Sequence, residues 1–446
     1  MRDLLITLIF VYGAIRALKY PYIAALLWAW IGLMNPHRLG WGFAYSLPFA
    51  MIAVALLVVG MMTHPKQVRW PSSGPVTVLA LFVVWMGLTT VAAIHFDESS
   101  AIYVNVSKVL GVALLIGCVV RTREEILGFI VVTALSVAFF GIKGGFFTLV
   151  TGGAFRVWGP PGSAIADNNE LAVALIVSIP LLYYLYMRAE DLVKLPTLTR
   201  LSPKWIRRGL LLSIGLCAVS VLGSHSRGAL LAMSSMAIVL WWRSKSKLTI
   251  GIVLLILAPA LVMFMPDEWG ERMGTIKTYE SDASAMGRIN AWTMAINIAN
   301  SRILGAGFAT DSALVYRMYA PNPNEVLVAH SIYFQVLGQH GYIGLALFLT
   351  FWILTYRTAG RLMKLGRGHP ELAWAADLGS MMKVSLVGFA VGGAFLNLAF
   401  WDMPYYLMLI AVVTEKWVKA TLGEQSAAAS AEAMSLKASG RLKASP

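Results

Sequence analysis

The chain has 446 residues, of which 58% are hydrophobic and only 13% are charged, whereas about a quarter of the residues of a soluble domain are charged. With a mean hydropathy of +0.70, this composition excludes a soluble domain that carries one anchor and predicts an all-α, polytopic integral membrane protein. The net charge of +14 does not indicate a nucleic-acid partner, because the basic residues lie in short loops, where they set membrane topology.

The hydrophobic pattern predicts about 12 transmembrane helices, since one span needs about 20 apolar residues. We expect them at residues 4–34, 43–62, 75–94, 102–120, 124–142, 169–187, 208–223, 227–242, 248–265, 329–356, 376–397 and 403–420. The first segment contains Arg16, Lys19 and Pro21 near its middle. Because proline kinks a helix, this segment is compatible with one kinked helix or with two short ones.

Four regions follow from this pattern. Helices 1–9 occupy residues 1–265, one long polar loop occupies 266–328, and helices 10–12 occupy 329–420. The remaining residues, 421–446, are rich in Ala and Ser and are expected to form a disordered tail.

The charge of the loops predicts their orientation. Most of the 36 Lys and Arg lie in alternate loops and at both termini, as the positive-inside rule requires of cytoplasmic segments. Both termini are therefore predicted to be cytoplasmic. The loops near residues 38, 97, 155, 225, 266–328 and 400 are predicted to face outward.

Three outward loops carry arginines that could bind an anion. Arg156 lies in the Gly- and Pro-rich loop 143–168, Arg227 follows a very tight loop, and Arg288 lies in the long loop. The planar guanidinium group forms bidentate hydrogen bonds with phosphate, so the three together could surround a pyrophosphate. Alternatively, each could extend to the lipid headgroups or pair with a nearby acid such as Asp167.

His330 is the leading candidate for proton transfer, because it starts a hydrophobic helix at the outward face and histidine titrates near neutrality. It could instead be a helix-start histidine bonded to a neighbouring carbonyl. His225 and His340 are competitors. On a regular helix His340 would lie about 15 Å from His330 along the axis and point about 280° away from it, so we do not expect the two to share a site.

Other features of the sequence limit the kinds of catalytic site that we expect. It has no phosphate-binding Gly-rich loop, no zinc-type Cys/His spacing and no paired acidic motif for a divalent metal. We therefore expect neither a metal nor a cofactor. Cys118 and Cys217 lie in apolar segments and are expected to be buried. Trp158 and Trp292 could stack on a sugar, although tryptophans near span ends usually belong to the interfacial aromatic belt.

Four phrases, in this order, resemble the O-antigen ligase and polymerase superfamily of bacterial envelope membrane proteins. They are Phe155–Gly159 with Asp167–Asn169; Ser226–Leu231; Gly287-Arg288 with Trp292 and Leu304–Gly307; and Ala329–Tyr333 with Gly341–Gly344. In addition, Asn35–Arg38 and the surrounding N-terminal third resemble the ligase branch associated with exosortase systems.

The resemblance implies a GT-C-like, metal-independent glycosyltransferase of the WaaL type. Such an enzyme transfers a preassembled O-antigen glycan from undecaprenyl pyrophosphate to the lipid A–core oligosaccharide, at the periplasmic face of the bacterial inner membrane. The implied partners are this donor, this acceptor and membrane lipids. The implied site residues are the catalytic His330 and the pyrophosphate-binding Arg156, Arg227 and Arg288. From their positions in the outward loops, Asn169, Trp158 and His225 could support this site.

Several alternatives remain open at this stage. The same site would serve an O-antigen polymerase or a protein O-oligosaccharyltransferase, which differ in the acceptor. A transporter or lipid flippase would need charges within its helices, and Lys108 and Lys383 are the main interior candidates. Within the transferase, Asp167 could be the base while His330 orients the acceptor. Single displacement predicts inversion at the anomeric carbon.

Overall fold

The computed structural model describes residues 1–243, residues 283–438 and scattered positions between 246 and 270. These residues form helices joined by loops, and no β-strand occurs among them. The prediction of an all-α polytopic membrane protein is confirmed.

The helices are numbered here in chain order. Their bounds are α1 Arg2–Ala17, α2 Pro21–Met34, α3 Phe49–Thr63, α4 Gly74–Val91, α5 Phe96–Val119, α6 Arg123–Val150, α7 Asn168–Met187, α8 Ala189–Leu192, α9 Pro203–Gly223, α10 Arg227–Arg243, α11 Ala283–Ser301, α12 Ala313–Tyr319, α13 Ile332–Leu365, α14 Ala373–Gly393 and α15 Asp402–Ala438.

Seven of the described helices are long and apolar enough to cross a membrane, namely α4, α5, α6, α7, α9, α13 and α14. The shorter apolar helices α2, α3 and α10 coincide with further predicted spans. The segment predicted at 4–34 forms two helices, because the chain breaks before Pro21, which occupies the first turn of α2. The span predicted at 248–265 lies largely outside the described residues.

Two regions contain more helix than the sequence pattern suggested. The segment 266–328, expected to be one polar loop, contains α11 and α12. The prediction of a disordered tail from residue 421 is wrong as far as Ala438, because α15 continues to that residue. Ala, Glu and Leu in this stretch are strong helix formers, so the span propagates into it. Residues 439–446 lie outside the described part of the chain.

Helix α7 is the centre of the bundle, with 78% of its best span window buried. It contacts α6, α9, α10 and α14. Helices α6 and α9 approach each other closely at Gly145, where a Cβ atom would overlap the carbonyl oxygen of Leu216. Small residues allow such approaches between membrane helices. Cys118 and Cys217 are both buried and free, as predicted.

Candidate active site

A cavity of about 210 Å³ lies where α7, α10 and α13 begin. Its lining includes Asn169, Ser226, Arg227, Arg288, His330 and Phe395. These residues come from five separate parts of the chain, so the cavity exists only in the folded bundle. Two of the three predicted arginines and the predicted histidine therefore lie together.

The arrangement of helix ends makes this cavity a favourable place for an anion. The first turn of an α-helix presents backbone N–H groups without intrahelical partners and carries the positive end of the helix dipole. Helices α7, α10 and α13 all begin beside the cavity. Their N-termini add positive potential to that of Arg227 and Arg288.

The beginning of α7 is held by a network of short side chains. Asp167 caps the helix, since its Oδ1 accepts hydrogen bonds from the backbone N of Asn169 at 2.9 Å and from its Nδ2 at 2.8 Å. The Nδ2 atom of Asn168 donates to the carbonyl oxygen of Ser224 at 2.6 Å. The start of α7, including Asn169 at the cavity wall, is thereby joined to the tight loop before α10.

His225 stabilises this tight loop and does not line the cavity. Its side chain is buried, and its Nε2 atom donates to the carbonyl oxygen of Gly153 at 2.9 Å. Its backbone is left-handed, with φ of +55°, a conformation that costs energy for a residue other than glycine. Ser226 Oγ accepts from the backbone N of Ala229 at 3.2 Å and completes the turn into α10. The loop therefore places Arg227 at the cavity.

His330 also has a left-handed backbone, with φ of +42°. The preceding carbonyl, that of Ala329, accepts a hydrogen bond from Trp292 Nε1 at 2.7 Å. The Trp292 ring stacks on Phe334, with ring centroids 4.9 Å apart. Because Trp292 and Arg288 lie one turn apart on α11, this helix both supplies a cation and holds the backbone of the histidine. This packing gives Trp292 a structural role that the sequence did not reveal.

The electrostatic surroundings of His330 favour its neutral form. Partial burial lowers the pKa of its imidazole below the ordinary value of 6.5, and the nearby Arg288 lowers it further. Asp167 acts in the opposite direction. Near neutral pH the ring is therefore uncharged, and one of its nitrogens can accept a proton.

Arg156 and Trp158 differ from the expectation, because neither is among the residues that line the cavity. Both side chains are exposed, and Trp158 keeps 57% of its surface accessible. Val157 between them is buried, and its backbone N donates to the carbonyl oxygen of Gly223 at 2.9 Å. In an extended segment neighbouring side chains point to opposite sides, so burying Val157 turns both outward.

Comparison with known families bears directly on this cavity. Residues 1–190 match the model of a family of unknown function (DUF5935), and residues 212–349 match the model of a family described as O-antigen ligase. Residues 212–349 are therefore similar to the O-antigen ligase family. The matched ligase domain contains Arg227, Arg288 and His330, whereas Asn169 lies in the other matched region. No curated protein matches the chain.

His340, also within the ligase domain, lies outside the cavity, as the sequence predicted. It is fully buried, with its Nδ1 atom 2.7 Å from Thr89 Oγ1, and its carbonyl oxygen accepts from Trp85 Nε1 at 2.9 Å. Helix α13 kinks at the next residue, Gly341, where φ is +66°. His340 thus joins α13 to α4 at this kink.

Two kinds of residue around this cavity were not predicted from the sequence. Phe395 and Leu396 line it from the segment after α14, but apolar residues in a membrane protein carry no distinguishing signal. Glu170, in the first turn of α7, interacts electrostatically with Arg288. Its position three residues after the cap Asp167 could have identified it as a first-turn acid.

Proposed function

We propose that this protein is a metal-independent, inverting glycosyltransferase that moves a preassembled glycan from undecaprenyl pyrophosphate to the lipid A–core oligosaccharide. The observation that carries the proposal is that His330, Arg227 and Arg288 line one cavity at the ends of three helices. The match of residues 212–349 to the O-antigen ligase family supports a ligase- or polymerase-type reaction. The donor, the acceptor and the steps below are our proposal.

The two arginines and the helix N-termini would hold the pyrophosphate. The reaction breaks the bond between the anomeric carbon and the phosphate oxygen, and the electron pair of that bond leaves with the pyrophosphate. Negative charge on the leaving group therefore increases toward the transition state. Guanidinium groups that are already fixed in place stabilise this charge more than they stabilise the ground state, which accelerates the reaction.

His330 would act as the general base. The acceptor hydroxyl oxygen forms its new bond to the anomeric carbon, and the neutral imidazole takes the hydroxyl proton. Attack from the side opposite the leaving group inverts the anomeric configuration. The strained backbone of His330 supports a functional role, because such strain persists where the surrounding structure holds a residue in a required position.

Asp167 is a weaker candidate for the base. Its Oδ1 atom already accepts two hydrogen bonds from Asn169, in its role as the cap of α7. In addition, Asp167 is not among the residues that line the cavity, whereas His330 is. We therefore assign the proton transfer to His330 and an electrostatic role to Asp167.

The proposed location follows from loop charge and from the chemistry of the donor. The cavity lies at the helix ends that the positive-inside rule predicts to face outward. In a bacterial inner membrane with both termini in the cytoplasm, this face is periplasmic. A lipid-linked pyrophosphate could then reach the cavity from the outer leaflet while its glycan remains in the periplasm. Of the remaining predicted residues, Arg156 and Trp158 are accessible at this face and could contact the glycan.

The function can be tested with purified protein, undecaprenyl pyrophosphate-linked glycan and lipid A–core, with and without a chelator. We expect chelator-resistant transfer that falls about 10²- to 10⁴-fold in His330→Ala, the usual contribution of a positioned general base. His64→Ala is a suitable control, because His64 lies in a distant loop. Full activity in His330→Ala would exclude the proposed base, and activity that disappears in chelator would exclude metal independence.

The same assay separates the ligase from its alternatives in the superfamily. A polymerase would produce longer lipid-linked glycan without an added acceptor, and a protein O-oligosaccharyltransferase would require a polypeptide acceptor. Product that appears only when lipid A–core is present would support the ligase. A transporter would form none of these products.

A further inference from the structure

A second, larger cavity of about 860 Å³ forms a groove along α13 and α14. One end of the groove lies at Ile332 and Tyr333, near the start of α13, and the other lies at Arg367, just after that helix ends. Between them the wall is mainly apolar and includes Trp352 and Ile353. The groove thus runs from the level of the proposed active site toward the opposite face of the bundle.

Basic residues are concentrated at this opposite end, which loop charge predicts to be cytoplasmic. Arg357, Lys364 and Arg367 line the groove there and are exposed, and Lys383 is half-buried in its wall. None of the four forms an ion pair with a carboxylate in the described part of the chain. Arg361 differs, because it binds Glu415 through Nε at 2.7 Å and Nη2 at 3.0 Å.

Lys383 distinguishes this end of the groove from an ordinary basic loop. It lies in the middle of α14, and its Nζ atom is 3.9 Å from the centre of the Tyr356 ring. A charged ammonium group within a membrane helix is costly unless an opposite charge is near. A tyrosine ring offsets part of that cost but leaves the positive charge without an anion. The phosphate of a lipid that enters the groove could supply one.

We propose that this groove binds one anionic glycerophospholipid, with its phosphate between Arg357 and Lys383 and its acyl chains along the apolar wall toward Ile332. From Arg357 back to Ile332 the helix extends about 38 Å at ~1.5 Å per residue. That exceeds the half of a ~30 Å hydrocarbon core that the acyl chains of one leaflet fill. This site is independent of the proposed transfer reaction.

Charge complementarity selects this occupant over two others. A zwitterionic lipid has no net charge to offset the four cations. A polyprenyl chain that extended down the groove from the proposed active site would place its apolar end against these cations, where it could not neutralise them. Anionic lipids of the cytoplasmic leaflet attract basic residues at the membrane surface, and each such residue contributes about fivefold in affinity.

The proposal can be tested with full-length protein in phosphatidylcholine nanodiscs, titrated with photoactivatable phosphatidylglycerol and followed by peptide mapping. We expect crosslinks on α13 and α14 and about 25-fold weaker labelling in the double variant Arg357→Gln/Lys383→Met, at fivefold per charge. Lys204→Met/Arg208→Gln is the matched control, because it removes two charges from the predicted cytoplasmic face near the start of α9, outside the groove. This control is expected to label like the wild type.

Three results would overturn the proposal. They are labelling that the double variant leaves unchanged, equal competition by unlabelled phosphatidylcholine, and displacement of the probe by undecaprenyl phosphate. Thermal unfolding in phosphatidylcholine alone reports whether the double variant folds. If it does not, the single variant Arg357→Gln decides the question, because Arg357 is exposed and its replacement should weaken labelling about fivefold without loss of fold.

Discussion

The contact of Trp292 with the backbone beside His330 leads to a prediction that separates positioning from chemistry. Trp292→Phe would retain stacking on Phe334 but would remove the 2.7 Å hydrogen bond to the carbonyl oxygen of Ala329. Trp292→Ala would remove both. Neither change alters a group that the proposed mechanism uses directly, so any loss of activity must act through the position of His330.

The sizes of the two effects follow from these contacts. Loss of the hydrogen bond costs about 1 kcal/mol, and loss of the stacked, half-buried ring raises the total to about 3 kcal/mol. A left-handed backbone at a residue such as His330 costs about 1–2 kcal/mol. The interaction energy lost in Trp292→Phe is therefore similar to the cost of the left-handed backbone. The energy lost in Trp292→Ala exceeds that cost, so His330 would leave the left-handed conformation. Because a displacement of about 1 Å can reduce a rate about 100-fold, we expect losses of roughly fivefold and 100-fold in kcat.

The assay is glycan transfer by purified variants at saturating donor, together with thermal unfolding to confirm that each variant is folded. Trp205→Ala is the matched control, because Trp205 is 66% exposed at the start of α9 and should be dispensable for transfer. If Trp292→Ala lost stability but kept the wild-type kcat, the hydrogen bond would not position the base. Equal losses in the Phe and Ala variants would contradict the energies given above.

Three further predictions concern the charges and one glycine. Arg288→Lys should reduce transfer by about 10- to 100-fold, because lysine keeps the charge but lacks the bidentate fork; wild-type turnover would contradict such a clamp. Transfer requires neutral His330, so it should be lost as pH falls through the lowered pKa of that group. In a pH–rate profile this acid limb should move to higher pH in Arg288→Ala, because Arg288 lowers the pKa of His330. It should move to lower pH in Asp167→Asn, because Asp167 raises that pKa. Movement of both variants in the same direction would refute the assignment of His330 as the base. Gly305→Ala should lower the free energy of unfolding by about 2 kcal/mol or more, because φ is +67° and a Cβ atom would lie 2.5 Å from the carbonyl oxygen of Gln339; Gly111→Ala, in open space, is the control for thermal unfolding.

Local features of the sequence were sufficient to predict the membrane class and most of the spans. Apolar segments of sufficient length identify spans regardless of how the helices pack, because the bilayer acts on each segment separately. Pro21 marked the break between α1 and α2, although only the structure showed two separate helices. The tail was wrongly predicted, because its composition suggested disorder while its helix propensity and attachment to α15 favour helix.

The sequence by itself determined that this is a polytopic helical membrane protein and that His330 and several arginines are its candidate site residues. Only the tertiary structure decided which of them meet. Arg227 and Arg288 line the cavity with His330, whereas Arg156 points outward because its neighbour Val157 is buried. The reason is physical: hydrophobicity and charge act on each segment locally, whereas the direction of a side chain depends on packing between helices that are distant in the chain.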